Sequence, residues 1–353
     1  MSIEITLYTK IATKKALINF LLTEGFQKTR HFLSGLNTLD MVHYYWSCYE
    51  NYESSSGVEA SIYKASSEEQ SKYNCSEWIL HTRTRSCGSY EDKQKQNDTI
   101  RNARKVFKGT FYNDWYGTNI YTNLNDYKKF SPLEKGISII TSNSIEKLNQ
   151  IKHCLSGYKN EVSESIENLN LGGLKETLKT KDPSIMLYNS LMPFLVAVIE
   201  YFYGQCFANF IKYDSSARRL LVDEKLKIDI ADVITILEKE NSFEQTIIKS
   251  NNFNFQNLDS INKAYKKYLS IDVKSILSEE KKVSRKKMRT LTKTQEILDA
   301  RHKFVHELDI DYNLTKESYL DYIATVENTI LLTIKAFREK GLNIEIDYCN
   351  QQI

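Results

Sequence analysis

The segment PSIMLYNSLMPFLVAVIEYFYGQCFANFI, Pro183–Ile211, decides the fold. Glu200 is its only charge, and Asn189, Ser190, Pro193, Gln205 and Asn209 interrupt its apolar run. A central glutamate and asparagine are costly in hydrocarbon. The segment therefore reads as the buried core helix of a bundle, and no membrane association is expected. Asp182–Pro183 starts it, because aspartate caps free N–H groups of the first turn and proline's fixed φ suits the first helical position.

Helical patterns continue on the C-terminal side, over 229–239, 243–250, 259–269, 284–307 and 316–339. Gly341 is placed to cap the last one. Residues 182–345 thus read as an all-α bundle. On the N-terminal side, 141–181 reads as a helical connector with polar helices over 142–155 and 161–169. Residues 1–140 have a different pattern. Ile3–Thr9, Met41–Tyr52, Val58–Lys64 and Trp78–Arg85 are strand-like. Ser54–Gly57 forms a turn between two of them. Thr13–Thr23 and Asp92–Phe107 carry helical apolar spacing. The order β-α-β-β-β-α predicts a small α+β domain ahead of the bundle.

Composition agrees with two folded domains in 353 residues, 41% hydrophobic and 26% charged. Only 3 prolines and 12 glycines occur, which excludes a turn-rich β-sandwich. The net charge of +3 neither demands nor excludes a nucleic-acid partner. Cys48, Cys75, Cys87, Cys154, Cys206 and Cys349 form no CxxC pair and have no histidine at ligand spacing, so no metal site is expected. MSIEITLYTK is no signal peptide, and scattered thiols fit a reducing cytoplasm.

The chemistry concentrates in Arg301-His-Lys-Phe-Val-His306 on the helix 284–307. At about 100° per residue His302 and His306 share a face, while Arg301 and His306 lie about 140° apart. Two devices could bring them together: a loosening of the helix near His306, or a symmetric dimer that sets two copies face to face. Such a cleft suits RNA cleavage without metal or cofactor. Histidine can take the 2′-OH proton and protonate the leaving 5′-oxygen, while arginine stabilises the phosphate charge.

This part of the chain resembles the HEPN superfamily, whose helical bundles carry an R-x4-6-H motif. RHKFVH fits the shortest spacing, with His302 in the polar slot after the arginine. The long apolar helix before it and ESYLDYIATVENTILLTIKAF after it fit as well. The resemblance implies a homodimeric, metal-independent endoribonuclease of toxin or antiphage-defence type. It implies Arg301 and His306 as the catalytic pair and His302 as a supporting group. Possible partners are RNA, an antitoxin or a phage-derived trigger. HEPN toxins controlled by nucleotidyl transfer carry a tyrosine two residues after the histidine; Leu308 stands here. The competing reading is an inactive HEPN module used for dimerisation or nucleic-acid binding. Arg301 paired to Glu296 or Glu307, with the histidines on an ordinary surface, is the bland alternative. Glu200 reads either as a partner orienting Arg301 or a histidine, or as a carboxylate paired for packing.

Lys281, Lys282, Arg285, Lys286, Lys287, Arg289 and Lys293 lead into the motif helix, and Lys303 lies within it. They read as a solvated face or as a guide for an RNA backbone. Lys263, Lys266 and Lys267, with Tyr265 and Tyr268, could extend that guide. Alternation puts His81, Arg83 and Arg85 on one strand face. Arg101 and Arg104 could join them, and Gly109–Asp114 offers a turn for a phosphate or nucleotide; the alternative is an ion-paired sheet face. Asp92, Asp98 and Asp114 are the only support for a metal-dependent nuclease in this domain.

Overall fold

A computed structural model describes residues 2–29, 40–158, 161–168, 172–223, 228–238, 242–279, 281–283, 286–288 and 290–345. The chain divides into two compact units, Met1–Pro132 and Leu133–Ile353.

The first unit is an antiparallel sheet with three α-helices packed on it among the described residues. Its elements are β1 (Ser2–Thr9), α1 (Lys14–Thr23), β2 (Gln27–Thr29), β3 (Val42–Trp46), β4 (Val58–Lys64), α2 (Ser67–Tyr73), β5 (Trp78–Arg85), α3 (Tyr90–Phe107), β6 (Gly109–Asn113) and β7 (Gly117–Thr118). The strand order is β2-β3-β4-β5-β1-β6-β7. Period-2 alternation sends Ile5, Leu7, Ala60, Ile62 and Leu80 to one face, where they bury against Leu17, Leu21, Ile100, Ala103 and Phe107 of α1 and α3. Each leucine, isoleucine or phenylalanine among them contributes about 1.5–3 kcal/mol by leaving water. The α+β expectation holds. Gly109–Asp114, read as a turn, is mostly strand β6 paired to β1. Gly109 has φ +111°, and a Cβ there would lie 2.0 Å from the Tyr8 carbonyl oxygen, so only glycine permits that pairing.

The second unit is mostly helical: α4 (Pro132–Gly157), α5 (Glu161–Glu167), α6 (Gly172–Lys179), α7 (Pro183–Tyr213), α8 (Ser215–Asp223), α9 (Ile230–Leu237), α10 (Phe243–Ser250), α11 (Leu258–Leu269), α12 (Val273–Leu277), α13 (Thr290–His302) and α14 (Lys316–Glu339). A two-stranded hairpin, β8 (Lys281–Val283) with β9 (Lys286–Met288), precedes α13. The helix expected over 284–307 therefore starts at Thr290. Asp182 caps α7 by accepting the Ser184 N–H at 2.9 Å. The helix is long and apolar enough to cross a membrane by length and composition. Here Leu195, Ile199, Phe202, Tyr203, Cys206 and Phe207 are buried in one core with α11, α13 and α14. Tyr203 and Tyr265 are fully buried, and their hydroxyls bond Thr333 Oγ1 (2.9 Å) and the Tyr203 carbonyl (2.7 Å). Ile145, Leu148, Ile151 and Leu155 of α4 belong to that same core. The stretch 141–157, expected within a connector, is thus part of the bundle, and the unit boundary lies at 132 rather than 140.

Candidate active site

The motif helix is anchored on its N-terminal side. Thr294 Oγ1 donates to the Thr290 carbonyl (2.8 Å) and meets Thr329 Oγ1 of α14 at 2.9 Å. Ile297 and Leu298 are buried beside them. After His302 the helix widens. Lys303–Glu307 form a single π turn, closed by the Leu308 N–H on the Lys303 carbonyl. Arg301 lies at the end of the α-helix, two residues before this turn, and the extra residue in the turn swings His306 back toward it. Arg301 Nη1 lies 3.5 Å from His306 Nε2. The rings of His302 and His306 are 4.8 Å apart between centroids. Loosening of the helix thus brings the pair together within one chain, and no second copy is needed for it. Among the described residues no carboxylate ion-pairs with Arg301, so the alternative pairing with Glu296 or Glu307 is not formed.

A guanidinium only donates, and an imidazole nitrogen can accept from it when that nitrogen carries no proton. The arrangement sets an imidazole and a fixed cation together at one exposed spot. A phosphodiester bound by Arg301 would lie within reach of His306, and a second imidazole stands beside it.

The other predicted residues are placed as follows. Lys303 lies in the π turn and lines a cavity of about 500 Å³ together with Asn189, Met192, Glu296, Asp299 and Tyr322. Arg285 and Arg289 lie outside the described residues. Lys286 and Lys287 are on strand β9, not on the motif helix, because α13 begins after them. Lys293 donates to Asp321 of α14 at 3.2 Å. Tyr265 and Tyr268 are core residues and closed to base stacking, while Lys263, Lys266 and Lys267 are exposed, Lys266 pairing with Asp272 at 2.7 Å. Glu200 accepts from Gln256 Nε2 at 2.8 Å, three turns of α7 (roughly 16 Å) beyond Asn189. It is a packing carboxylate and does not orient the motif.

Asn189 is the α7 residue that reaches the motif's exit loop. Its amide bonds both backbone groups of Asp311, N–H to Oδ1 at 3.0 Å and Nδ2 to carbonyl at 3.1 Å. Pro193 was the available signal, because a proline inside a helix leaves the carbonyl four residues earlier, here Asn189's, without its N–H partner.

In the sheet unit Arg101 and Arg104 do not join Arg83 and Arg85. Arg83 is held between Glu4 and Glu59, each at 3.5 Å. Burial raises the Glu59 carboxyl pKa, against the pull of Arg83. Arg85 lies with Arg83, Ser56 and Glu59 around a cavity of only about 90 Å³. Arg101 pairs with Asp98 and stacks on Tyr121, while Arg104 donates to the Gly109 carbonyl at 3.2 Å. His81 is half-buried, bonded to Thr6 at 3.0 Å, and desolvation lowers its pKa against the pull of Glu4. Of the three aspartates, Asp92 is buried among serines, Asp98 holds Arg101, and Asp114 accepts the Glu4 N–H at 2.8 Å. Among the described residues no three His, Cys, Asp or Glu side chains group as metal ligands.

No curated protein and no solved structure matches the chain. The family match is to RiboL-PSP-HEPN, over residues 148–339, more than half of the chain. It spans α7, the Arg301–His306 turn and α14, the elements that build the site. The chain belongs to the RiboL-PSP-HEPN family.

Proposed function

We propose that the chain is a metal-independent endoribonuclease. The observation that carries this reading is the π turn that sets Arg301 3.5 Å from His306. Family membership supports a nuclease or RNA-related function. His306 takes the proton of a ribose 2′-OH, whose oxygen attacks the adjacent phosphorus. Arg301 holds the non-bridging oxygens as charge builds on them. The P–O5′ bond breaks and the leaving oxygen receives a proton, with His302 the nearest second imidazole. The products are a 2′,3′-cyclic phosphate and a 5′-OH. DNA, lacking the nucleophile, resists.

We place this activity in a toxin or antiphage-defence setting in the cytoplasm, with the sheet unit meeting an antitoxin or a phage-derived trigger. A homodimer is part of the proposal, on family grounds and because Met186, Phe194, Val305 and Leu308 expose apolar surface. The lysines of the β8–β9 hairpin lie in sequence just ahead of α13 and suit the RNA backbone.

The test is end mapping of RNA incubated in excess EDTA with wild type, Arg301→Ala and His306→Ala. Cyclic phosphate ends from wild type alone are expected. Undiminished cleavage by His306→Ala would overturn the mechanism, and RNA binding without cleavage would favour an inactive binding module. Light scattering reports whether the active species is a dimer.

A further inference from the structure

We infer that Asn189 is the positioning residue of this site, holding open the π turn that joins Arg301 to His306. The inference rests on the proposed function for its kinetic consequence but not for its geometry.

Asn189 is 3% exposed on α7, the central helix of the bundle. Its amide makes three bonds. Oδ1 accepts the Asp311 N–H (3.0 Å), and Nδ2 donates to the carbonyls of Asp311 (3.1 Å) and Ile185 (2.8 Å). The amide can take only this orientation. Flipped, it would set NH2 against an N–H and oxygen against two carbonyls. The side chain therefore acts toward Asp311 as a neighbouring strand would, fixing both backbone groups of one residue.

The held segment is short. The Lys303 carbonyl receives the N–H of Leu308 and, at 3.3 Å, that of Asp309. Leu308 then reverses the chain with φ +53° and ψ +28°, a left-handed conformation that leucine adopts at a cost of about 1–2 kcal/mol. Asp311 follows three residues later. His306 thus sits on a stretch fixed at Lys303 by the turn and at Asp311 by Asn189. Without the second anchor, the turn can relax to ordinary α geometry and release the strain at Leu308. In that geometry residues five apart stand about 140° apart, and Arg301 and His306 separate.

The test uses the full chain and two variants, Asn189→Ala and Asn189→Leu. The second keeps the branched heavy-atom shape and loses the amide, so a second variant remains if the first fails to fold. Thermal melts establish folding. The expected result is a fall in kcat of about 30–100-fold, with KM for RNA within about threefold, because misplacing a reacting group costs turnover rather than binding. Adding Leu308→Asn, which tolerates the left-handed conformation, should recover about fivefold; a purely structural role for Asn189 predicts no such recovery. Independently of any cleavage, the contact between the Arg301 guanidinium and the His306 ring, 3.5 Å apart in wild type, should be lost from NMR spectra of the folded variant. A folded variant with unchanged kcat, a rise in KM alone, or a retained Arg301–His306 contact overturns the inference. Wild type that shows the Arg301–His306 contact but cuts no RNA refutes the endoribonuclease reading and leaves the positioning role standing on the spectra.

Discussion

The two units treat their polar side chains in opposite ways. In the sheet unit, charged and polar groups are committed to one another: Arg83 to Glu4 and Glu59, Arg101 to Asp98, His81 to Thr6. Asp92 is the extreme case, fully buried and accepting from the hydroxyls of Ser54, Ser55 and Ser56 and the N–H groups of Ser55, Ser56 and Ser89. At the π turn, Arg301, His302 and His306 face each other with no carboxylate ion-paired to the arginine among the described residues. Committed groups hold a fold; uncommitted ones of compatible chemistry are available to a ligand. Substitutions in the two places should therefore fail differently, one in stability and the other in turnover.

The largest expected effect is on turnover. Arg301→Ala and His306→Ala should each cut RNA cleavage by about 10³-fold or more, roughly 4 kcal/mol of barrier. Their melting temperatures should stay within a few degrees of wild type, since His306 is exposed and Arg301 half-buried. A large loss of stability in either would mean that the motif is structural after all, and the contrast between the units would collapse.

Next comes Asp92→Asn, which puts an amide where serine donors converge. It should cost about 2–4 kcal/mol in urea unfolding of the sheet unit while leaving the chemistry at Arg301 untouched. Burial alone would raise the Asp92 pKa, but the bonds from Ser54, Ser56, Ser89 and Ser55 outweigh it and hold the folded value below the ordinary one. The stabilisation is therefore complete above the unfolded carboxylate value of about 4 and is lost as pH falls through the lower folded value. The variant's deficit should be constant from about pH 5 to 7 and shrink below about pH 4. A deficit independent of pH across that acid range would show that Asp92 is not the titrating group.

Lys93 offers a smaller and opposite test. It is fully buried, with Nζ on the Gly88 carbonyl and 4.2 Å above the Tyr127 ring. Burial lowers its pKa, with Asp92 pulling the other way. Because the desolvation of a buried charge offsets its interactions, Lys93→Met should lie within about 1.5 kcal/mol of wild type, on either side. A loss as large as that of Asp92→Asn would show that the cation, too, is required by the network.

How much of this was legible follows from the same distinction. Helices α10 and α14 match their sequence ranges because caps mark their ends: Ser242 accepts the Gln245 N–H, Thr315 accepts the Ser318 N–H, and Gly341 takes φ +91°. The Arg301–His306 pair was legible as chemistry, from residue type and spacing. Its geometry was not, because the choice between α and π turns depends on Asn189, distant in sequence, and no local propensity encodes it. The start of α13 was misplaced for a related reason. Lys281–Arg289 is rich in helix formers but offers only Val283 and Met288 to a core, so composition suggests a helix that packing does not support. Glu200 was singled out as the one charge in an apolar helix, yet its neighbour in space is Gln256 from a loop that the pattern could not place.

The smallest expected effect tests where the molecule holds strain. In the sheet unit, left-handed backbone falls mostly on residues that adopt it readily, Asn51, Asn74, Asn119, Gly25, Gly57, Gly109 and Gly117, with Tyr52 and Lys108 the exceptions. At the exit of the motif the same conformation falls on Leu308, 79% exposed. Its side chain packs too little to compensate, so Leu308→Asn should raise stability by roughly 1 kcal/mol, seen as a melting temperature a few degrees higher. Cleavage should be unchanged or slightly faster, because the turn that unites Arg301 and His306 becomes cheaper to hold. A lower melting temperature would mean that Leu308 is covered in solution, as a homodimer would cover it, and a concentration-dependent melt of wild type would then distinguish that cover from an intrachain contact.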